Sequence, residues 1–419
     1  MENKIFTVAI IGVGARGGNV YGKLMKNFSE KYKITHLCDI RHDRLDFYGK
    51  LFDVPHEQRY DNEEEFFLQK RADVLVIATP DTCHIRHTLK AFEKGYDVLV
   101  EKPLTDNESE CRELLEAQQK HGKKALVCHV LRYAPAYNKL YEIVNSGKLG
   151  KIMSINWTEP VGYWHQAHSY VRGNWRNTEV AAPMVLAKCC HDLDLIQWLA
   201  KSRCRTVSSV GSLDFFKTEG APEGATERCV DCPHEDTCPY SAYKIYMEKW
   251  ISNGRPSAMW PVDVVYSEPI TEEGLSDALE NGPYGRCVFH CDNNVVDHQT
   301  VQMLFENGIT ATLHMTGFTL MDSRRVTLYG TYGEVSMYND KITVSVFGQP
   351  TEEIDTRTLL ESAYGHGGGD YMLISTLYDM LMGNSALETS LEASIESHLI
   401  GIKAEESRLS DGALIKVHS

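Results

Sequence analysis

The sequence predicts an α/β protein that begins with a doubly wound parallel sheet over residues 1–130 and continues with a second domain over residues 131–419. Two observations predict this organisation. In the first third, short apolar runs alternate with helical patterns, and strands this apolar are typical of a parallel sheet covered by helices on both faces. From about Lys151 onward, strand patterns follow one another with only turns between them.

The elements of the first domain alternate regularly. Apolar strands are predicted at residues 6–11, 34–38, 74–78, 98–100 and 125–128, with helical patterns between them at 45–52, 63–69, 84–94 and 108–121. Asn62 and Asn107 are placed as N-terminal caps, because an asparagine side chain accepts from free helix N–H groups. Gly95 and Gly122 are placed as C-terminal stops, because glycine tolerates the left-handed conformation.

The first strand runs directly into the turn Gly12-Val13-Gly14-Ala15-Arg16-Gly17, which opens a helix. In a dinucleotide-binding fold the first glycine permits the tight turn, the second lets the backbone approach a pyrophosphate, and the third allows close helix–strand packing. Free N–H groups and the positive end of the helix dipole then face the phosphates. The context of strand, turn and helix therefore predicts a Rossmann domain, although a simple glycine-rich turn is the alternative.

Asp39 ends the second predicted strand, 22 residues after Gly17, and Ile40 follows it. An acidic residue there accepts hydrogen bonds from the adenosine ribose and repels a 2′-phosphate, so NAD is predicted rather than NADP. Arg41 is the complication, because an arginine at this place can pair with that phosphate.

Length, charge and composition argue against several classes of protein. A chain of 419 residues suggests two domains, and a net charge of −15 without a long basic run argues against nucleic acid as a partner. No signal peptide is expected at Met1, and no apolar stretch approaches the roughly 20 residues that span a bilayer. The twelve cysteines are scattered along the chain, which together with a nicotinamide cofactor predicts a reducing, cytoplasmic location.

Several motifs resemble the glucose–fructose oxidoreductase / inositol dehydrogenase / rhizopine-catabolism (Gfo/Idh/MocA) family. They are the glycine turn, the segment Thr79-Pro80…His84, the motif Glu101-Lys102-Pro103 after the fourth of these apolar strands, the crossover from Arg132-Tyr133 to residues 147–152, and the helix around His191 at 190–199. The resemblance implies an NAD(P)-dependent oxidoreductase acting on sugars, inositols or related polyols. It also implies an α+β second domain with a large open, mostly antiparallel sheet, one face of which packs in a homodimer or homotetramer.

Cofactor contacts are predicted at the glycine turn and at the carboxyl ends of the strands, where ligands bind in such sheets. The predicted cofactor-binding residues are Gly12, Gly14, Ala15, Arg16, Gly17, Asp39, Ile40, Thr79, Pro80, His84, Glu101, Lys102 and His129.

Lys102 and His191 are the predicted catalytic residues. The Lys102 ammonium can stabilise a developing alkoxide, and a histidine suits proton exchange near neutral pH. Most members of the family carry an aspartate four residues before this histidine, where the present chain has Ala187, followed by Lys188. This departure leaves a second reading open, a redox-neutral glycosidase or lyase that oxidises its sugar transiently. A remote third reading is a non-catalytic NAD-binding scaffold.

The segment 163–176 is dense in aromatic, histidine and arginine residues, which can stack on sugar rings and donate to hydroxyl groups. A packed loop or a subunit contact is the alternative. The predicted substrate-binding residues are His165, His168, Arg172 and Trp175 from this segment, together with Tyr133 and Lys188.

In the second domain, strands are predicted at 151–158, 301–305, 310–315, 325–329, 334–338 and 342–347, and the last helices at 375–381 and 391–407. An insertion at about 216–297 interrupts the strands. It contains Cys229, Cys232 and Cys238 at a spacing that suits a structural zinc, although no fourth ligand stands at a diagnostic position. An iron–sulfur cluster and reduced thiols are the alternatives. The turn at 365–370 either closes over the substrate or is only a turn with a cap.

Overall fold

The computed structural model describes residues 4–267, 269–359, 365–384 and 389–418. Its first sheet consists of β1 (Phe6–Ile11), β2 (Tyr32–Cys38), β3 (Arg59–Tyr60), β4 (Val74–Ile77), β5 (Asp97–Val100) and β6 (Ala125–Val127). All of these strands are parallel, in the order β3-β2-β1-β4-β5-β6. The predicted doubly wound sheet is confirmed. The order reverses between β1 and β4, so the glycine turn after β1 lies at the switch point where such sheets bind ligands.

The helices alternate with these strands and continue through the second domain. α-Helical segments are α1 (Lys23–Asn27), α2 (His42–Leu51), α3 (Glu63–Phe66), α4 (His84–Glu93), α5 (Glu108–His121), α6 (Pro135–Asn145), α7 (Tyr163–His165), α8 (Met184–Ala187), α9 (Cys190–Ala200), α10 (Lys249–Ser252), α11 (Val262–Val265), α12 (Glu272–Asn281), α13 (Gly369–Met382) and α14 (Leu391–Leu409). Wider π-helical turns cover Ala15–Gly22, Gln166–Arg172 and Tyr243–Glu248. Asn62 and Asn107 cap α3 and α5 as predicted, through their side-chain oxygens.

The second sheet consists of β7 (Ile152–Gly162), β8 (Cys204–Ser212), β9 (His298–Phe305), β10 (Thr310–Thr319), β11 (Arg325–Gly330), β12 (Gly333–Tyr338), β13 (Lys341–Val346), β14 (Glu352–Asp355) and β15 (Ile415–Lys416). Their order is β14-β13-β12-β11-β7-β10-β9-β8-β15, and every pair but β7–β10 is antiparallel. The open, mostly antiparallel sheet is therefore confirmed. β8 escaped prediction because its serines, threonine and arginine give a weak apolar pattern.

The last helices join the two sheets. Leu373, Ile374 and Leu377 of α13 share a hydrophobic core with Val8 and Ile10 of β1. In contrast, α14 packs against α9 and β8 of the second domain. Because α13 comes from the predicted second domain but packs on the first sheet, the predicted domain boundary at residue 130 remains a prediction.

The insertion at 216–297 has a core of its own. Phe216, Tyr246, Trp250, Leu275 and Val288 are buried together there. The sequence pattern did not indicate this core, because its members are spread over short helices and irregular segments. Within the described residues, no helix is long and apolar enough to cross a membrane.

Candidate active site

The glycine turn has the geometry that a pyrophosphate requires. Gly12 has φ +85°, and a Cβ there would lie 2.5 Å from the Ala78 carbonyl oxygen. A Cβ on Gly17 would lie 2.0 Å from the Gly12 carbonyl oxygen. The helix that follows begins at Ala15, and the N–H groups of its first turn have no acceptor within the helix. The backbone therefore fits the dinucleotide phosphates that the sequence predicted.

Asp39 stands beside this turn. Its carboxylate accepts hydrogen bonds from the Val13 N–H at 2.8 Å and the Arg41 N–H at 2.9 Å. The Arg41 guanidinium turns away and donates to Asp43 at 3.0 Å. Arg44, which sequence reasoning did not single out, is a closer cation: its Nη1 lies 3.2 Å from the position of a Cβ on Gly14. The arrangement thus places both an acid and an arginine at the adenosine side of the turn.

His84 connects the turn that follows β4 with the turn that follows β5. The His84 ring nitrogens lie 2.8 Å from the Thr79 carbonyl oxygen and 2.6 Å from the Pro103 carbonyl oxygen. His84 therefore fixes these turns from inside the protein, while Pro80 and Ile40 are exposed. The predicted cofactor roles of these residues remain predictions.

Glu101 and Lys102 point in different directions from the end of β5. Glu101 is buried and accepts from Arg16 Nε at 2.7 Å and from the Tyr21 hydroxyl. Burial raises the pKa of Glu101, but the charges of Arg16 and Lys102 outweigh this effect and leave its pKa below the ordinary value. Lys102 Nζ donates at 2.8 Å to the carbonyl oxygen of Ala187. The Lys102 ammonium thus bridges from the first domain to the position where family members usually carry an aspartate.

His191 lies close to this ammonium and to two other histidines. Its ring centroid is 6.0 Å from that of His129 and 6.3 Å from that of His366. Burial, followed by the charge of Lys102, lowers the pKa of His191 well below the ordinary value. The same two kinds of cause, burial and a nearby cation (here Arg132), lower the pKa of His129. Both rings are therefore neutral near pH 7, and forming an imidazolium at His191 is costly.

A group of charges, with buried carboxylates and half-buried cations, adjoins His191 on the side of the second sheet, and we call it the charge cluster. Lys188 Nζ lies 3.1 Å from Glu159, while Arg324 lies 2.8 Å from Glu159 and 2.7 Å from Asp192. Burial raises the pKa of Glu159 despite these cations. Sequence reasoning found Lys188 but missed the other three residues. An acidic residue within the apolar strand β7 was the available signal.

The segment 163–176 is partly open and partly enclosed. His165 Nδ1 lies 2.8 Å from Asp322, and burial followed by the Lys188 charge lowers the pKa of His165 to about 4. His168 is 2% exposed, lies 3.0 Å from the Tyr246 hydroxyl and stacks on Tyr284 with a 4.9 Å centroid distance. The structure therefore brings His165 next to Lys188 but encloses His168 against the insertion.

The other predicted substrate residues also divide into one near the cofactor edge and two that are enclosed in the protein. The Trp175 indole donates to Asp81 at 3.1 Å, which links the segment to the turn after Thr79. Arg172 is fully buried and donates to the carbonyl oxygens of Arg286 and Tyr240. The hydroxyl of Tyr133 is buried 2.8 Å from that of Thr389. The structure directs Arg172 and Tyr133 into the protein, away from solvent.

The predicted zinc site is not formed. Among the described residues, no group of three or more His, Cys, Asp or Glu side chains is arranged to hold a metal ion. Cys229 is buried and accepts from Arg172 Nη2 at 3.5 Å, whereas Cys232 and Cys238 are only half-buried. The spacing of the three cysteines suited a metal, but the Arg172 guanidinium contacts the Cys229 sulfur instead. All twelve cysteines are free thiols.

Comparison with known proteins matches the architecture. Residues 6–129 match the family described as "Oxidoreductase family, NAD-binding Rossmann fold", and residues 142–413 match "Oxidoreductase family, C-terminal alpha/beta domain". The chain therefore belongs to the Gfo/Idh/MocA oxidoreductase family, a class of NAD-binding enzymes, and the resemblance noted in the sequence is confirmed.

Relatives within the family vary in coverage. Over 415 residues, 92% of each chain, the protein is 23% identical to YteT of Bacillus subtilis (strain 168), which is named only as an oxidoreductase. Over 213 residues it is 28% identical to an inositol 2-dehydrogenase of Corynebacterium glutamicum, covering 49% of this chain and 57% of that one. The solved WlbA dehydrogenase of Bordetella pertussis, in complex with NADH and UDP-GlcNAcA, superposes with TM-score 0.70 over 99% of this chain and 98% of its own, at 15% identity. That likeness concerns the fold alone.

Proposed function

We propose that the protein is an NAD-dependent dehydrogenase that transfers a hydride between the nicotinamide and a hydroxyl-bearing carbon of a sugar, an inositol or a sugar derivative. One observation carries the proposal. The Lys102 ammonium, at the cofactor edge of the first domain, contacts Ala187 of the second domain and lies close to His191. The cofactor edge and the polar groups of the second domain therefore face one another across the domain boundary.

Each part of this site has a chemical task. The glycine turn holds the dinucleotide, whose nicotinamide supplies the hydride acceptor when bound. Lys102 stabilises the negative charge that develops on the substrate oxygen, because a preorganised cation is worth most where water is excluded. Lys188, at the edge of the charge cluster, donates to a further hydroxyl group of the substrate. His165 Nδ1 donates to Asp322, so its Nε2 accepts from another substrate hydroxyl.

We favour NAD over NADP because Asp39 follows β2 beside the glycine turn, and an acidic residue at this place repels a 2′-phosphate. Arg44 opposes this preference, since its guanidinium is close to the same turn. Titration of the protein with NADH and NADPH, followed by quenching of tryptophan fluorescence, measures the balance. We expect NADH to bind at least tenfold more tightly. The absence of binding by either cofactor at millimolar concentration would contradict the proposed function.

Turnover is measured with NAD⁺ and a panel of inositols, uronates, amino sugars and glycosides, with absorbance at 340 nm and product analysis in parallel. Accumulation of NADH identifies a dehydrogenase. Release of an aglycone without a change in absorbance identifies the redox-neutral alternative instead.

Replacement of Lys102 by methionine tests the charge at similar side-chain length. We expect a loss of about 10²–10³ in kcat, the usual worth of one electrostatic contact to a developing oxyanion, with little change in NADH affinity. Lys94→Met at the end of α4 is the control and should leave kcat unchanged. A normal kcat in Lys102→Met would contradict the role of the ammonium.

A further inference from the structure

We propose that His366, held by Asp370, is the side chain that exchanges a proton with the substrate hydroxyl. The proposal rests on the proposed function and names the acid–base group of that site, a role that the sequence had assigned to His191. It depends on three features of the segment at 365–370: a hydrogen-bonded pair, its place beside His191, and its backbone conformation.

The pair has the form of a histidine–carboxylate dyad. His366 Nδ1 lies 2.8 Å from Asp370 Oδ2, and the Asp370 side chain is only 1% exposed. Burial raises the pKa of Asp370, but Arg16, whose Nη2 lies 2.7 Å from Asp370 Oδ1, outweighs it and keeps the pKa below the ordinary value. An ionised carboxylate only accepts hydrogen bonds, so Nδ1 carries the proton and Nε2 is the acceptor. This is the tautomer that a general base needs.

The position of the ring separates it from His191. The His366 side chain is 41% exposed, whereas His191 is 8% exposed, and their ring centroids are 6.3 Å apart. The charged and titratable groups that face His366 are Asp370 on α13, with Arg16 behind it, and His191 on α9. His366 thus stands at the open side of the centre formed by Lys102 and His191, where a substrate can reach it.

The backbone holds this ring in a conformation that few residue types accept. His366, Gly367 and Gly368 have φ of +52°, +62° and +91°, all left-handed. A Cβ on Gly369 would lie 2.3 Å from the Val130 carbonyl oxygen, so the turn is pressed against the chain just after His129. Glycine adopts this conformation freely, so the strain falls on His366; a non-glycine residue held in this way costs about 1–3 kcal/mol, and such residues cluster at functional sites. Histidine and asparagine tolerate the conformation better than most other residues with side chains.

The other candidates are less suited. Burial opposes a charge on His191, and His168 is enclosed by Tyr246 and Tyr284. Lys188 is paired with Glu159. Among the histidines of this centre, His366 combines an exposed ring with a carboxylate that fixes its tautomer.

In the forward direction, the O–H bond of the substrate breaks and its proton passes to Nε2 of His366. When NAD⁺ is bound, its nicotinamide would accept both electrons of the adjacent C–H bond as a hydride. The products are a carbonyl compound, the reduced nicotinamide and an imidazolium, which returns its proton to water.

The test uses His366→Asn, because asparagine tolerates the left-handed backbone and cannot exchange a proton at neutral pH. We expect turnover to fall by about 10²–10⁴, the usual worth of a positioned acid or base, while NADH affinity stays within about twofold. His56→Asn, at an exposed histidine far along the chain, is the matched control and should keep full turnover. In His366→Gly, which removes the strain and the ring, added imidazole should restore part of the rate.

A readout that does not need turnover accompanies these variants. Carbethoxylation of the wild type by diethyl pyrocarbonate, mapped by mass spectrometry, should modify His366 at least tenfold faster than His191 and should slow when NADH is bound. His366 modified no faster than His191, or at the same rate with NADH present, would overturn the proposal.

The outcomes separate the two proposals. Normal turnover in His366→Asn overturns the dyad and leaves the proposed function standing. Failure of the wild type to bind NADH overturns both. A wild type that binds NADH but converts no member of the panel leaves the decision on the dyad to carbethoxylation.

Discussion

The glycine turn and the charge cluster are the two halves of the candidate site, and they are built on different principles. The turn is made of backbone, and its close contacts are those of Gly12 and Gly17 with each other and with Ala78. The charge cluster is made of side chains from three separate parts of the chain: Glu159 on β7, Lys188 and Asp192 at the junction of α8 and α9, and Arg324 just before β11. A site that is defined by missing side chains can therefore be recognised from a short stretch of sequence, whereas a site that is defined by paired charges cannot.

The largest effect is expected from Gly17→Ala. The added Cβ would lie 2.0 Å from the Gly12 carbonyl oxygen and 3.1 Å from Ala78 Cβ, so the helix must move away from the turn. We expect NADH affinity, measured by tryptophan fluorescence, to fall by at least about 10²-fold, the scale of losing two or three kcal/mol of phosphate contacts.

Gly224→Ala is the control for the backbone change. Gly224 has φ +80° and nothing within 4 Å of its Cβ position. The added methyl group therefore strains the backbone but collides with no other atom. The NADH affinity of this variant should match the wild type. Equal affinity in the two variants would show that close backbone approach does not define the turn.

Arg324→Gln should have the next largest effect, on folding rather than on cofactor binding. It leaves the buried carboxylate of Asp192 without its cation, whereas Glu159 keeps Lys188. Removing one partner of a buried ion pair costs about 3–5 kcal/mol. Urea unfolding measures the loss, and Arg325→Gln, on the exposed neighbour, is the control. If the folded fraction of Arg324→Gln still binds NADH normally, the two halves are independent. A loss of NADH affinity in the folded variant would mean that the glycine turn depends on the charge cluster.

The smallest effect concerns the pH dependence of stability at Glu159. Because burial raises its pKa in the folded protein, the native carboxyl keeps a proton that the unfolded chain has already lost. The free energy of unfolding therefore falls as pH rises between the ordinary and the raised value, by up to about 1.4 kcal/mol per pH unit for one proton.

Glu159→Gln should remove this slope, so its stability relative to the wild type should improve from pH 5 to pH 7 in urea unfolding. Glu334→Gln, at an exposed position on β12, should leave the slope unchanged. An identical slope in Glu159→Gln and the wild type would mean that Glu159 is ionised throughout this range.

Most of the framework and the glycine turn could be predicted from the sequence alone. Apolar runs identified β1, β2, β4, β5 and β6, because strands buried on both faces leave a signal within a few residues. Glycines at 12, 14 and 17 followed by Asp39 identified the turn for the same reason: the constraint on each residue is local. Lys102 was also singled out, since its motif directly follows a strand, and its catalytic role stays a prediction.

The surroundings of the proposed substrate site depend on tertiary packing. Cys229, Cys232 and Cys238 had the spacing of metal ligands, yet Arg172 lies against Cys229 and no metal-binding group forms among the described residues. Arg324 carries no local mark, because its importance comes from Asp192, more than 100 residues away in the chain. The sequence predicted the acid–base role for His191, and for the segment that contains His366 it predicted only a turn. Burial of one ring and exposure of the other distinguish them, and burial is a property of the packed chain.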